Sequence, residues 1–251
     1  DSPSHQELLA CTGDYLVETN MTLFTFGDMR LAAQDIRRTA DWLMENDGRM
    51  FHTSYSLMWV QWIRKVYTFT GDRDLIRYCR DALDTLLTRF HGYIGKNGIL
   101  DNAPDYMFID WLEIEGYNMH HPPKSLGQTV LCAFYYKALT DACALCRVME
   151  REPDGAWWTA KRASWASRMA SFRPAFHRAL YDAEMGLYID GLPDEDEDNE
   201  PWRPKNVPLK HFTRHANVLA AMYGLCPEEE RERILRRSVD PASDLQQVQP
   251  Y

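Results

Sequence analysis

No apolar run in the 251 residues approaches the length of a membrane-spanning helix, and no signal peptide opens the chain. No stripe of Lys and Arg is present either: 28 basic residues stand against 37 acidic ones, for a formal charge of −9. Without such a stripe to release counterions from phosphates, nucleic acid and anionic membranes are excluded as general partners. No Gly-rich phosphate loop, Ser-centred nucleophile elbow or kinase motif set occurs, so no cofactor is expected. Linkers rich in Gly, Ser or Pro are missing as well, which argues for a single domain over 1–251. The chain starts without Met, directly on a motif, and reads as a piece of something longer whose leader is not assessable from these residues.

Cysteine is scarce, and its spacing does not suit a disulfide framework. Cys11, Cys79, Cys132, Cys143, Cys146 and Cys226 stand mostly in apolar helical stretches, the pattern of free thiols in a reducing, cytoplasmic setting. Cys143 and Cys146 form a C-x-x-C, but no second Cys pair, no His pair at zinc spacing and no preceding strand accompanies them, so packing is the expected role. His120-His121 before Pro122-Pro123 lacks a third ligand, and no metal site is expected.

What is present suits one sizeable core: 45% of residues are hydrophobic, and 12% are aromatic, enough to fill an interior and also to line a sugar site. Apolar periodicity predicts helices over 12–26 and 28–46, broken at Gly27-Asp28, with Leu31, Ile36, Ala40 and Leu43 as the apolar stripe of the second. The same form returns over 54–70 and 73–93, broken at Gly71-Asp72. These two Gly-Asp turns lie 44 residues apart, the mark of repeated helix pairs, with Gly left-handed past one helix and Asp capping the next. Further pairs are predicted over 124–149 with 155–181 and over 213–224 with 227–238, Pro227 falling in the first turn of the last helix. The fold class is therefore all-α, built of about four helical hairpins. The long segments 47–53, 94–123 and 182–212 should share one end and carry function. Gly186 to Gly191 reads as a short β-hairpin arm, and the acid run Asp194 to Glu200 as a solvated loop tip.

The first fourteen residues gather three carboxylates, Asp1, Glu7 and Asp14, where an extended segment set by Pro3 enters a helix. They either cap and solvate this entrance or present acids at the mouth of a helical bundle. Trp59, in Tyr-Ser-Leu-Met-Trp at 55–59, reads as either core or aromatic wall, whereas Trp111, in a long loop beside Asp110, favours a site. Asp105 and Asp110 either bind hydroxyls or cap turns. His121 could point into a pocket, and His215 either lines a cavity or is a satisfied buried histidine.

Asp1, Pro3, Glu7, Thr12, Gly13 and Asp14 together resemble the signature of the bacterial α-L-rhamnosidases, family 78 glycoside hydrolases. The resemblance continues through Tyr-Ser-Leu-Met-Trp at 55–59, Phe-Ile-Asp-Trp at 108–111 and Arg-His-Ala-Asn at 214–217. His5 stands where the family has Arg, and Cys11 where it has a sugar-contacting Trp. The resemblance implies an (α/α)6 toroid of six hairpins, incomplete here. It implies hydrolysis of terminal α-L-rhamnosyl or related deoxysugar linkages with inversion, and a carbohydrate partner. Glu7 would be the general acid, Asp1 and Asp14 would serve the second acidic role or hold sugar hydroxyls, and Cys11, Trp59, Asp110, Trp111, His121 and His215 would contact substrate. The general base is expected beyond Tyr251, with Glu113 and Glu115 as internal candidates. Another (α/α) toroid enzyme and a non-catalytic carbohydrate-binding relative are the competing readings.

Overall fold

The computed structural model describes residues 11–50, 52–101, 103, 112–114, 117–119, 122–193 and 210–245, with the backbone alone described over 112–114 and 117–119. Among them the chain is all-α apart from two short hairpins. The helices are α1 (Thr12–Phe26), α2 (Arg30–Glu45), α3 (Thr53–Thr70), α4 (Arg73–Tyr78), α5 (Arg80–His91), α6 (Lys124–Met149), α7 (Gly155–Leu180), α8 (Arg214–Met222) and α9 (Glu228–Val239). Strands β1 (Leu112–Ile114) and β2 (Tyr117–Met119) pair antiparallel, as do β3 (Tyr181–Asp182) and β4 (Leu187–Tyr188). Packing gathers the chain into two compact units, Asp1–Gly92 with Lys137–Met169 and Tyr93–Tyr136 with Ala170–Tyr251.

In the first unit the two Gly-Asp turns behave as helix punctuation. Gly27 and Gly71 adopt φ of 68° and 67°, and each closes its helix through its amide, on Leu23 and Tyr67 respectively. A residue with a Cβ would be strained at either position. The following aspartates differ. Asp72 caps α4 by accepting from the Leu75 amide at 2.9 Å. Asp28 instead accepts from the Arg30 amide and chelates the Arg30 guanidinium, so α2 begins two residues after it with Met29 as an uncapped N-cap. The predicted helix over 73–93 is split at Cys79 and ends at His91.

α1 packs on α3, and α2 on α3 and α5. Trp62 of α3 donates its indole N–H to Thr19 Oγ1 of α1 at 2.7 Å, so the aromatic core is tied as well as packed. The α2 stripe consists of Ala33, Ile36, Ala40 and Leu43, all buried, while Leu31 is 74% exposed. Five residues separate Leu31 from Ile36, and a step of five turns the side chain off the stripe that steps of three and four maintain. On α1, Val17, Met21 and Phe24 lie at successive turns and are exposed, Phe24 by 83%. Asp141 of α6 is buried and paired with Arg64 of α3 and with Lys137 one turn back, as a buried charge must be.

In the second unit the hairpin over β3 and β4 spans 181–188, not the arm predicted over 186–191. Gly186 at φ 66° makes the turn, and Asp182 Oδ1 accepts from the Met185 amide at 2.9 Å. The guanidinium of Arg233 lies where a Gly186 side chain would be, 2.1 Å from an added Cβ, and donates to Tyr181 Oη at 2.7 Å, docking α9 on the hairpin. Pro227 is the N-cap of α9, one position earlier than predicted. The β1–β2 hairpin and the tight Ile94–Leu100 bridge lie within a segment read as loop.

All six cysteines are buried and none forms a disulfide. Burial pushes the Cys146 thiol up to about 12, and the Cys143 thiol also rises by burial, so this C-x-x-C carries two inert, packed thiols. Among the described residues one helix, α6, is long and apolar enough by composition to cross a membrane, contrary to the expectation that no such run exists; 78% of its most apolar window is buried within the protein.

Candidate functional site

Of the acids in the opening stretch, Asp1 and Glu7 lie outside the described residues, as do Asp105, Asp110, Trp111, Glu115, His120 and His121. Only the backbone of Glu113 is described, opposite Asn118 in the β1–β2 pair. Cys11, Asp14, Trp59 and His215 are described in full.

Cys11 is the N-cap of α1, 5% exposed, and its carbonyl accepts from the Tyr15 amide at 3.0 Å. Asp14 does not cap the helix; it stands inside the first turn of α1, where a carboxylate is favoured by the unpaired amides and the helix dipole. The start of α1 meets the start of α3 at Tyr55. Thr12 Oγ1 donates to the Tyr55 carbonyl. A Cβ on Gly13 would fall 2.5 Å from Tyr55 Cε1, so the glycine is what lets the ring lie against the α1 backbone. The phenol then reaches Asp14 and donates to Oδ2 at 3.3 Å. His52 packs edge-on to the same ring, with centroids 5.1 Å apart. The sequence motifs Thr-Gly-Asp at 12–14 and Tyr-Ser-Leu-Met-Trp at 55–59 are thus two sides of one contact.

Trp59 has no exposed surface, and its indole N–H donates to the Ile36 carbonyl at 3.1 Å. Of its two readings the core one fits this placement, because a ring enclosed on both faces has none left for a sugar.

In the second unit His215 is the second residue of α8, half-buried, with its ring edge-on to Phe134 at 6.3 Å. Burial pulls its pKa from 6.5 down to about 4, leaving a neutral imidazole at neutral pH. Beside it in sequence lies a buried polar cluster that the sequence reading did not find. Asp190 is 1% exposed and receives His211 Nδ1, the Thr213 amide at 3.0 Å and Thr213 Oγ1 at 2.8 Å. Burial raises the Asp190 carboxyl, against the lowering effect of the His211 and Thr213 hydrogen bonds. Thr213 caps α8 through the Ala216 amide at 3.2 Å. Asn217 brackets Tyr188, accepting from its amide at 2.8 Å and donating to its carbonyl at 3.0 Å. Asn217 belongs to the Arg-His-Ala-Asn motif, which gave a signal; Asp190 and His211, 21 residues apart, gave none. Among the described residues, no three His, Cys, Asp or Glu come together at metal-ligand distance.

The family of the bacterial alpha-L-rhamnosidase 6 hairpin glycosidase domain matches residues 1–245. No curated protein sequence matches the chain. Among solved structures, the chain is similar to a family 78 rhamnosidase of Bacillus sp. GL1, with a TM-score of 0.72 at 20% identity over 94% of this chain and 24% of that one. A rhamnosidase from Klebsiella oxytoca with rhamnose bound matches with a TM-score of 0.62 at 17% identity, over 94% of this chain and 43% of that one. An α-L-rhamnosidase from Dictyoglumus thermophilum matches with a TM-score of 0.64 at 12% identity, over 93% and 24%. The likeness shows the fold, an all-α fragment of a toroid of the six-hairpin type, and the chain spans less than half the length of each of these relatives.

Proposed function

Because the chain belongs to the bacterial α-L-rhamnosidase six-hairpin glycosidase family, we propose that it is part of the catalytic domain of a glycoside hydrolase acting on terminal α-L-rhamnosyl or related deoxysugar linkages. The observation that carries this reading is the family match across 1–245. It is supported by the way Asp14 is placed: a half-buried carboxylate in the first turn of a helix, fixed by a phenol. An ionised carboxylate so held accepts hydrogen bonds from sugar hydroxyls in a charge-assisted way.

In this reading Glu7 is the general acid. Its proton passes to the glycosidic oxygen as the bond to the anomeric carbon breaks, and a water that gives its own proton to a second carboxylate, the general base, attacks that carbon from the opposite face, inverting it. Glu7 must stay protonated until that moment, which calls for burial or a neighbouring carboxylate, and Asp1 and Asp14 are the neighbours in sequence. Asp14 and Asp1 hold the ring hydroxyls, and an aromatic face would suit the C–H side and methyl group of a deoxysugar.

The test is release of 4-nitrophenol from its α-L-rhamnoside by the full-length protein. Turnover by the wild type and its loss in Glu7→Gln, at a rate at least about a hundredfold lower, is the expected result for removal of a general acid. Rhamnose binding without turnover of any glycoside would instead mark a non-catalytic relative, and an unchanged rate in Glu7→Gln would remove Glu7 from the role.

A further inference from the structure

We propose that Tyr55 is a positioning residue for the sugar site, acting through Asp14. This rests on the functional reading above and adds to it a group outside the opening signature. The phenol is 8% exposed and is fixed by contacts from two directions. Thr12 Oγ1 holds the Tyr55 carbonyl, and the His52 ring lies edge-on at 5.1 Å and an interplanar angle of 64°. The missing side chain at Gly13 gives the ring room that a Cβ would occupy, 2.5 Å from Cε1 and 2.7 Å from Cζ. The hydroxyl of a ring held in this way donates to the carboxylate of Asp14, 3.3 Å away.

The chemistry of the pair follows from its polarity. A phenol donating to a carboxylate oxygen favours the ionised form and restricts rotation about the Asp14 side chain, so the carboxylate meets a sugar hydroxyl already oriented. Pre-orientation of this kind acts on binding more than on the chemical step, because it lowers the ordering cost of the bound state. Tyr55 itself touches no substrate in this account. Its effect has to shrink when Asp14 no longer carries the charge.

The experiment is a double-mutant cycle on the full-length protein with Tyr55→Phe, Asp14→Asn and the pair, read by KM and kcat on 4-nitrophenyl α-L-rhamnoside and by calorimetric binding of rhamnose. Tyr55→Phe should raise KM and the rhamnose Kd together by about tenfold, the size of one lost hydrogen bond to a charged group, and change kcat by less than about threefold. In the Asp14→Asn background, where only a neutral acceptor remains, the same substitution should change both by less than about threefold, which a merely structural tyrosine would not reproduce. Equal effects in both backgrounds, or an unchanged KM and Kd in Tyr55→Phe, would overturn the proposal while leaving the glycosidase reading in place. Wild-type protein that neither turns over nor binds the sugar sinks that reading, and this one with it. Should Tyr55→Phe prove unfolded by circular dichroism, Asp14→Asn alone decides: wild-type affinity in that variant removes the residue through which Tyr55 is held to act.

Discussion

The carboxylate of Asp190 lies against Nδ1 of His211, 21 residues further along the chain, and is 1% exposed. It also receives both donors of Thr213, so one buried acid satisfies the groups that open α8. Removing it leaves three donors facing an empty space. Asp190→Ala is expected to cost about 3–5 kcal/mol, the cost of uncoupling a buried charged network. His211→Ala leaves the two Thr213 bonds in place and should cost less than half as much. Urea unfolding of both variants checks the order.

Gly13→Ala sets two effects of opposite sign against each other. In a helix, alanine is favoured over glycine by about 1 kcal/mol. At this position its Cβ would meet the Tyr55 ring at 2.5–2.9 Å, and overpacking against a buried ring typically costs about 1–3 kcal/mol. The ring is also held at its backbone by Thr12, so the clash is expected to win. The melting temperature should fall and sugar affinity should fall with it, since Asp14 loses its donor.

Burial lowers the His215 pKa from 6.5 to about 4, and the sign of the resulting pH dependence follows. Between those two values the unfolded chain takes up a proton that the folded protein refuses. The stability carried by neutral His215 is therefore complete above about pH 6.5 and is lost as the pH falls towards about 4, by no more than about 1.4 kcal/mol per pH unit. Denaturant midpoints at pH 7, 6 and 5 should decline more steeply in the wild type than in His215→Gln. Equal slopes would show that His215 titrates normally in the folded state.

Trp59→Ala separates packing from recognition. With no exposed surface and its indole N–H on the Ile36 carbonyl, Trp59 should cost about 3–5 kcal/mol when truncated. Trp59→Phe keeps most of the volume and should retain sugar affinity within about twofold. A large loss of affinity with an unchanged melting temperature would place Trp59 in the site after all.

Local chemistry made much of this fold legible. The Gly27-Asp28 and Gly71-Asp72 turns were readable because a left-handed glycine after an apolar helix is a short-range signal. The helix ends around 124–149 and 155–180 follow from Pro and Gly punctuation and a long apolar period. Leu31 is apolar by composition, but its angular position on α2 turns it away from the stripe. The β-hairpin was read as a Gly-to-Gly arm. Its turn is made at Gly186, but its first strand, Tyr181–Asp182, directly follows α7 with no sequence break between them. In the candidate site, Asp14 and His215 were found as residues, but their surroundings were not. The Tyr55 contact depends on two motifs 41 residues apart meeting, and the Asp190–His211 pair on a strand end meeting the start of a helix. Neither approach is encoded in any window of adjacent residues.

The apolar row on α1 bears on how the protein can be handled. Phe24 projects 83% into solvent one turn from Met21, and greasy side chains grouped like this drive self-association as concentration rises. Because Phe24 supports nothing beneath it, a lysine there should alter folding free energy by no more than about 0.5 kcal/mol. It offers a place to improve solubility without touching either the Tyr55 contact or the Asp190 cluster.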